Sequence, residues 1–119
     1  MGKPGQLLED SLLIIWNNRD SAERLKAMEQ IYHQDIRFFE NDSGNPIVGF
    51  EAINNLITRL QLGWAPEFVF ELSKPSQTNH NVQVVAWRLG VPGDMAVASG
   101  MDVAIIEHEK IRALHLYLD

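Results

Sequence analysis

The stretch at residues 95–107, M-A-V-A-S-G-M-D-V-A-I-I-E, has the composition of a long β-strand, rich in Val, Ile, Ala and Met and free of proline. Because successive side chains of a strand point to opposite faces, its residues fall into two sets. One set consists of Val97, Ser99, Met101, Val103 and Ile105. The other, mostly small residues around one carboxylate, consists of Ala96, Ala98, Gly100, Asp102, Ala104 and Ile106. Small side chains leave space on a sheet face, so this second set predicts a pocket lined by Asp102.

Length and composition predict one globular domain spanning residues 1–119. The chain has 10 Lys and Arg against 16 Asp and Glu, a formal net charge of −6, which argues against a nucleic-acid or anionic-membrane partner. There is no cysteine, so disulfides and thiolate metal sites are excluded. No apolar run reaches the ~18 residues of a membrane span. The first residues also lack the apolar region of a signal peptide, so we expect a cytoplasmic protein.

Apolar periodicity predicts helices first and strands afterwards. Three helices are expected: at residues 6–17, at residues 21–33 behind a cap at Asp20 or Ser21, and between Gly49 and Gly63. Period-two alternation predicts strands at residues 36–41, 47–48, 68–72, 81–89, 95–107 and 111–118. The polar residues 74–79 are expected to form a loop, and residues 41–46 a turn. Helices followed by hairpin-linked strands predict an α+β fold, with the helices on one face of a mostly antiparallel sheet.

Asp102 and Glu40 are the candidate acid–base residues. If small and aromatic neighbours desolvate Asp102, its pKa rises, and the neutral carboxyl group can donate a hydrogen bond to a developing oxyanion. Two alternatives stay open: a strand face wetted by solvent, or an ion pair with Arg88, which would lower that pKa. Glu40 either shares the pocket with Asp102 or is a solvated residue beside the turn.

Several other residues are expected around this pocket, mainly as walls. The predicted lining residues are Trp16, Tyr32, Phe38, Ile57, Trp64, Ala86, Arg88, Gly100, Leu116 and Leu118. For the tryptophans and for Tyr32, core packing is the alternative. The four histidines, at positions 33, 80, 108 and 115, are scattered without metal-ligand spacing, although any one of them could still act as a base. We therefore predict a site without a metal or other cofactor.

Three segments of the chain together resemble the nuclear-transport-factor-2-like superfamily, which includes SnoaL-like polyketide cyclases and ketosteroid isomerase. They are I-Y-H-Q-D-I-R-F-F-E at residues 31–40, G-N-P-I-V-G-F-E-A-I at 44–53, and G-M-D-V-A-I-I-E-H-E-K-I-R-A-L-H-L-Y-L-D at 100–119. The resemblance spans nearly the whole chain. It implies a cone-like fold, in which three helices are wrapped by a strongly curved sheet that encloses a pocket. It also implies a homodimer.

The resemblance further implies roles for the two acids. Glu40 lies where ketosteroid isomerase has its aspartate base, and Asp102 lies where that enzyme has the protonated aspartate of its oxyanion hole. The isomerase's first-helix tyrosine has no clear counterpart: Trp16 is nearest, and Tyr32 is a candidate replacement. This departure argues against steroid isomerisation.

The function implied is binding of a small apolar carbonyl compound in the pocket, with acid–base isomerase or cyclase chemistry. One alternative is a non-catalytic dimeric module for ligand binding or scaffolding. Another is protein-transport binding, which would need an exposed apolar patch. The feature that discriminates the first two hypotheses is whether the cavity is open or is closed by core side chains.

Overall fold

The computed structural model describes residues 6–42 and 44–119. The expectation for the N-terminal segment, and the centre of the predicted turn at residues 41–46, lie outside this part. The helical regions are α1 (Gln6–Asp10), a π-helical segment that continues it (Ser11–Trp16), α2 (Ser21–Ile31) and α3 (Phe50–Leu62). The strands are β1 (Tyr32–Phe39), β2 (Ile47–Val48), β3 (Val69–Leu72), β4 (Gln77–Asn79), β5 (Val82–Gly90), β6 (Ala98–Glu107) and β7 (Lys110–Leu118).

The strands form one mixed, curved sheet in the order β2-β1-β7-β6-β5-β3, and β4 also pairs with β5. Strands β1 and β7 run parallel, whereas the other described pairs are antiparallel. The helical regions pack on one face, with α1 against β5, α2 against β7 and α3 against β1. The predicted α+β fold, with three helical regions on a mostly antiparallel sheet, is confirmed.

Alternation along β5 and β6 decides which side chains face the helices. On β5 the buried set is Gln83, Val85, Trp87 and Leu89, and on β6 it is Gly100, Asp102 and Ala104. The register places Trp87 opposite Gly100 and Val85 opposite Asp102. Asp102 therefore lies on the inner face, surrounded by the core, as the small-residue pattern predicts.

Several predicted boundaries are wrong, and one predicted loop contains a strand. Strand β6 begins at Ala98 rather than at residue 95, because the preceding residues belong to a loop whose turn is closed by a bond from the Asp94 N–H to the Val91 carbonyl (3.0 Å). Helix α2 ends at Ile31, and Tyr32 already belongs to β1, where it pairs with Ile111. Residues 77–79 form the exposed strand β4. The sequence predicted a loop there because these residues are polar.

A buried arginine of α2 forms hydrogen bonds with α3. Asp20 caps α2 by accepting a hydrogen bond from the Glu23 N–H (3.0 Å), as predicted. From the first turns of α2, the Arg24 guanidinium donates to Asn54 Oδ1 (2.6 Å) and Gln61 Oε1 (2.9 Å) of α3. Arg24 is 1% exposed, and burial lowers its pKa. This hydrogen-bonded cation fixes α2 against α3.

Candidate functional site

The concave side of the sheet holds a cavity of about 210 Å³. Most of its walls are apolar, and five aromatic rings contribute to them. The lining residues are Leu12, Trp16, Phe38, Glu40, Leu60, Trp64, Phe70, Trp87, Leu89, Ala98, Asp102, Leu116 and Leu118. An apolar cavity of about 150 Å³ can hold benzene, so this one accommodates a ring with a small substituent.

Phe70 is the centre of the aromatic wall. Its ring contacts those of Trp16, Trp64 and Trp87 edge-on, with centroids 6.3, 5.5 and 5.1 Å away. Asn17, just after the π-helical segment, donates to the Phe70 carbonyl (3.0 Å) and accepts from its N–H (2.7 Å). These two bonds hold β3 against the first helical region and so set the position of the ring.

Asp102 provides the cavity's buried carboxyl group and is 7% exposed. The indole N–H of Trp87 donates to its Oδ1 at 3.0 Å. Burial raises the pKa of Asp102 to about 7, and the Trp87 hydrogen bond only partly opposes that rise. Because Oδ1 accepts from Trp87, this hydrogen bond favours Oδ2 as the oxygen that carries the proton of the neutral form.

Gly100 makes the Trp87–Asp102 contact sterically possible. A Cβ at position 100 would lie 2.8 Å from Cζ2 of Trp87 and 2.6 Å from the Tyr117 carbonyl oxygen. The indole therefore covers the glycine directly, and its N–H reaches the aspartate two residues further along β6. The small residue identified in the sequence creates space, but a tryptophan ring occupies that space.

Glu40 lies at the cavity's mouth, directly after β1, and is exposed. The last β1–β7 pair is Phe39 with His115, so Glu40 comes next to Leu116, which pairs with Asp102 on its other side. Glu40 and Asp102 therefore lie on either side of Leu116, on the two strands next to it. Their backbones are roughly 10 Å apart, which is the distance across two strand spacings. Both line the same cavity.

The structure brings half of the predicted lining residues to the cavity. Trp16, Phe38, Trp64, Leu116 and Leu118 line it. Those that do not line it are Tyr32, Ile57, Ala86, Arg88 and Gly100. Ile57 is fully buried in the core, and Gly100 lies beneath the Trp87 indole.

Ala86 and Arg88 are on the opposite face of β5, so their assignment to the pocket is wrong. Arg88 pairs in register with Ser99 rather than with Asp102. Its guanidinium forms an ion pair with Glu71 (2.5 Å) on the neighbouring strand. The alternative in which Arg88 lowers the pKa of Asp102 is therefore excluded.

Tyr32 is next to the site but does not line it. Its hydroxyl bonds the Ser11 hydroxyl (2.6 Å) and accepts from the indole N–H of Trp16 (3.2 Å). Burial raises the pKa of Tyr32 to about 12, and the Asp102 charge adds to that rise. The Tyr32 hydroxyl therefore orients Trp16. Trp16 is the residue nearest to the position at which ketosteroid isomerase has its first-helix tyrosine.

Sequence reasoning missed the lining residues Leu12, Leu60, Phe70 and Leu89, whereas Ala98 belongs to the strand face that predicted the pocket and Trp87 was one of the three tryptophans expected in a cavity wall or in the core. Trp87 had a signal in its alternation with Val85 and Leu89, although Val84 and Ala86 make the other face of the strand apolar as well. Phe70 had no such signal, because its orientation depends on the tertiary hydrogen bonds to Asn17.

In the described part of the chain, no group of three or more His, Asp or Glu side chains is arranged to hold a metal ion. None of the described helices combines the length and apolarity needed to cross a bilayer.

Neither protein-family models nor curated proteins match this sequence. Solved structures do. A protein from Agrobacterium tumefaciens, proposed to be an isomerase of the SnoaL-like family, superposes with a TM-score of 0.83 over 96% of this chain and 95% of its own, at 23% sequence identity. The protein has the nuclear-transport-factor-2-like fold. At this identity the likeness establishes the architecture, and the resemblance seen in the sequence is confirmed at that level.

Two further structures share the nuclear-transport-factor-2-like fold. A proposed SnoaL-like polyketide cyclase from a Jannaschia species has a TM-score of 0.77 at 12% identity, covering 96% of this chain and 83% of that one. A protein from Catenulispora acidiphila with a ketosteroid isomerase-like fold, in complex with trimethylamine, has a TM-score of 0.72 at 12% identity, covering 97% and 86%.

Proposed function

We propose that this protein binds a small apolar carbonyl compound in its cavity and catalyses proton transfer at the carbon next to the carbonyl, as an isomerase or cyclase does. The observation that carries the proposal is that Asp102 and Glu40 line one apolar cavity while differing in burial. One acid is desolvated at the inner wall and the other is exposed at the mouth. Carboxyl groups in such different environments can serve as hydrogen-bond donor and as base.

Asp102 is the proposed donor to the carbonyl oxygen. With a pKa of about 7 it is about half protonated in neutral solution and largely protonated in mildly acidic solution. The Trp87 indole engages Oδ1, so the proton on Oδ2 is available to the cavity. A hydrogen bond that strengthens as the oxygen becomes an enolate would stabilise the transition state more than the bound substrate.

Glu40 is the proposed base. Its position at the mouth keeps the carboxylate in contact with solvent, while the ligand's carbonyl end points inward. Glu40 and Asp102 lie on either side of Leu116 and line the same cavity, with backbones roughly 10 Å apart. A base at one end and a donor at the other is the arrangement that enolisation requires.

The test is deuterium exchange, which does not require knowledge of the natural substrate. A panel of small aryl and cyclic ketones, beginning with acetophenone, is incubated with the protein in D₂O, and loss of the α-proton signal is followed by NMR. We expect exchange well above buffer, reduced about a hundredfold in Glu40→Gln and in Asp102→Asn. As a control, Glu109→Gln changes an exposed acid in the turn at the far end of the β6–β7 hairpin and should leave the rate unchanged.

Wild-type exchange no faster than buffer across the panel would refute the catalytic proposal. Unchanged rates in both Glu40→Gln and Asp102→Asn would refute the assigned roles. The pH profile adds a further constraint: the rate should fall as the pH rises through about 7, because the donor form of Asp102 is lost.

A second candidate function is non-catalytic binding of a methylated amine. Five aromatic rings and two acids line the cavity, and no Lys or Arg is among its described lining residues. Aromatic faces attract alkylammonium ions, and the Catenulispora protein of the same fold holds trimethylamine. Trimethylammonium binding, measured by tryptophan fluorescence, should strengthen as the pH rises through about 7, because ionised Asp102 attracts the cation. Ketone turnover is expected to fall over the same pH range, so the direction of the pH dependence distinguishes the two candidate functions.

We also propose a homodimer formed through the sheet face that the helices leave uncovered. An outer patch on β5 and β6 consists of Val84, Ala86, Met101, Val103 and Ile105. A sheet face in contact with solvent ordinarily carries polar residues, whereas this patch is apolar. A cytoplasmic location remains a prediction from the sequence.

A further inference from the structure

The Trp87 ring is held from two sides by groups other than Asp102. It lies over Gly100, where a Cβ would come within 2.8 Å of Cζ2, and the Phe70 ring contacts it edge-on with centroids 5.1 Å apart. The residue is 4% exposed, so close packing leaves its ring little freedom to rotate. Packing therefore fixes the direction of the indole N–H, which donates to Asp102 Oδ1 at 3.0 Å.

The two oxygens of the Asp102 carboxyl group have different surroundings. Oδ1 accepts from Trp87, whereas Oδ2 has no hydrogen-bond partner among the described residues. Oδ2 is not sealed inside the protein, because the described part of the chain has no fully buried side-chain oxygen or nitrogen that lacks a partner. Since Asp102 lines the cavity, Oδ2 is the carboxyl oxygen that a ligand in the cavity can reach.

Other titratable groups near this face of the sheet are engaged elsewhere. They are Tyr32 on β1, Glu40 after β1, Glu9 on α1 and Arg24 on α2. Tyr32 is neutral because burial raises its pKa to about 12, and Glu40 is exposed at the cavity's mouth. Glu9 accepts a hydrogen bond from Ser76, and Arg24 donates to α3. Directly opposite Asp102 on the two neighbouring strands are the apolar residues Val85 and Leu116.

We propose that Trp87 is a positioning residue for the reaction: its packed indole fixes the Asp102 carboxyl group through Oδ1 and so presents Oδ2 to the carbonyl oxygen of the ligand. This inference rests on the proposed carbonyl function and adds a residue that acts through Asp102. The same bond has an electrostatic effect. A hydrogen bond to a carboxylate favours the ionised form, so the indole N–H lowers the pKa of Asp102 against the larger, opposite effect of burial.

The test removes the N–H and keeps the ring. Trp87 is replaced by benzothienylalanine, in which sulfur takes the place of the N–H group, and Trp87→Phe is a second variant with a smaller ring. Isotopically labelled aspartate carboxyl groups are titrated by NMR, and Asp102→Asn identifies the signal of Asp102. We expect its titration midpoint to rise from about 7 by about one to two pH units, the scale of a lost hydrogen bond to a charged group.

Deuterium exchange tests the positioning role, with the panel ketone that wild type exchanges fastest. In the benzothienylalanine variant, the pH at which the rate falls should rise together with the NMR midpoint. Below that pH we expect kcat to be about tenfold lower with KM nearly unchanged, because the donor is no longer held in one orientation.

The matched control is benzothienylalanine at Trp64. This tryptophan also lines the cavity, but its N–H has no hydrogen-bond partner in the described part of the chain, so the Asp102 midpoint should stay at the wild-type value. An unchanged midpoint in the Trp87 variants overturns the inference, and so does a raised midpoint with an unaltered rate profile. Wild-type exchange no faster than buffer would instead overturn the carbonyl function, and the positioning role with it, whatever the NMR titration gives.

Discussion

At the residue scale, the site depends on how Asp102 is held. A carboxyl group on an apolar sheet face would ordinarily be expelled toward water. Here Trp87 satisfies one oxygen, and Gly100 lets the indole lie close enough to do so. The remaining cost of burying a charge appears as the raised pKa of Asp102, which keeps most of the group neutral below about pH 7.

Replacement of Asp102 should change how stability depends on pH. The pKa is about 7 in the folded protein and 3.8 in an unperturbed aspartate, so between these values only the folded state retains the proton. The stabilisation is complete below about pH 4 and is lost as the pH rises through about 7, on the order of 4 kcal/mol in unfolding free energy. We expect Asp102→Asn to lack this loss and to be the more stable protein at about pH 8.

Urea unfolding across this pH range, followed by tryptophan fluorescence, measures the difference. Asp94→Asn, at an exposed aspartate of the β5–β6 loop, serves as the matched control and should follow the wild-type profile. If the unfolding free energies of wild type and Asp102→Asn changed with pH in parallel, the buried carboxyl group would not titrate as inferred.

Gly100→Ala should be destabilising because the added methyl group would lie 2.8 Å from the Trp87 ring and 2.6 Å from a backbone oxygen. We expect a cost of about 1–3 kcal/mol, the usual scale of overpacking. Gly63→Ala is the control: its nearest contact would be 3.6 Å away, its φ is −93°, and no loss of stability is expected. Denaturant midpoints compare the two, and equal stabilities would contradict the steric account.

At the element scale, the first helical region is informative. Its second half is π-helical, which brings residues five apart onto one side of the helix. Ser11 and Trp16 are five apart and both bond the Tyr32 hydroxyl. In a regular α-helix these side chains would point in directions about 140° apart. The π geometry thus couples the helix to β1 and aims the Trp16 ring at the cavity.

Tyr32→Phe tests this coupling. Removal of the hydroxyl leaves the Ser11 hydroxyl and the Trp16 N–H buried without their partner, and we expect a cost of about 1–2 kcal/mol in unfolding free energy. Tyr117→Phe removes a hydroxyl from a side chain that is 56% exposed and should be nearly neutral. Thermal and urea unfolding report both changes. A neutral Tyr32→Phe would mean that the three-residue network contributes nothing to stability.

At the scale of the whole molecule, the sheet has one face covered by helices and one left open. The open face carries the outer patch on β5 and β6, of which Met101 is 38% exposed. Burial of such a surface against a second copy is favourable because apolar area leaves water.

Met101→Glu should therefore yield monomers, because it places a charge in the middle of the outer patch. Sedimentation should give wild type a mass of twice the 13.5 kDa chain and the variant a mass of one chain. Met95→Glu is the matched control, since Met95 is 91% exposed in a loop outside the sheet and its replacement should leave the dimer intact. A monomeric wild type at micromolar concentration would rule out this interface.

Much of this architecture follows from local sequence. Three helical regions precede most of the strands because apolar residues recur at helical spacing early in the chain and alternate later. Asp102 lies on the inner face because its alternate neighbours, Gly100 and Ala104, are small. The placement of Glu40 beside the cavity follows from its alternation with Phe38, which faces inward.

Other features depend on tertiary contacts. Both faces of β5 carry apolar residues, so alternation alone does not decide between Trp87 and Arg88 as the inward residue. The pairing of Trp87 with Gly100 decides it, because only a residue without a side chain leaves room for the indole. By itself, the sequence determined the order of the elements and the face on which Asp102 lies. The close packing of distant strands decided which side chains surround that carboxyl group, and thereby its pKa.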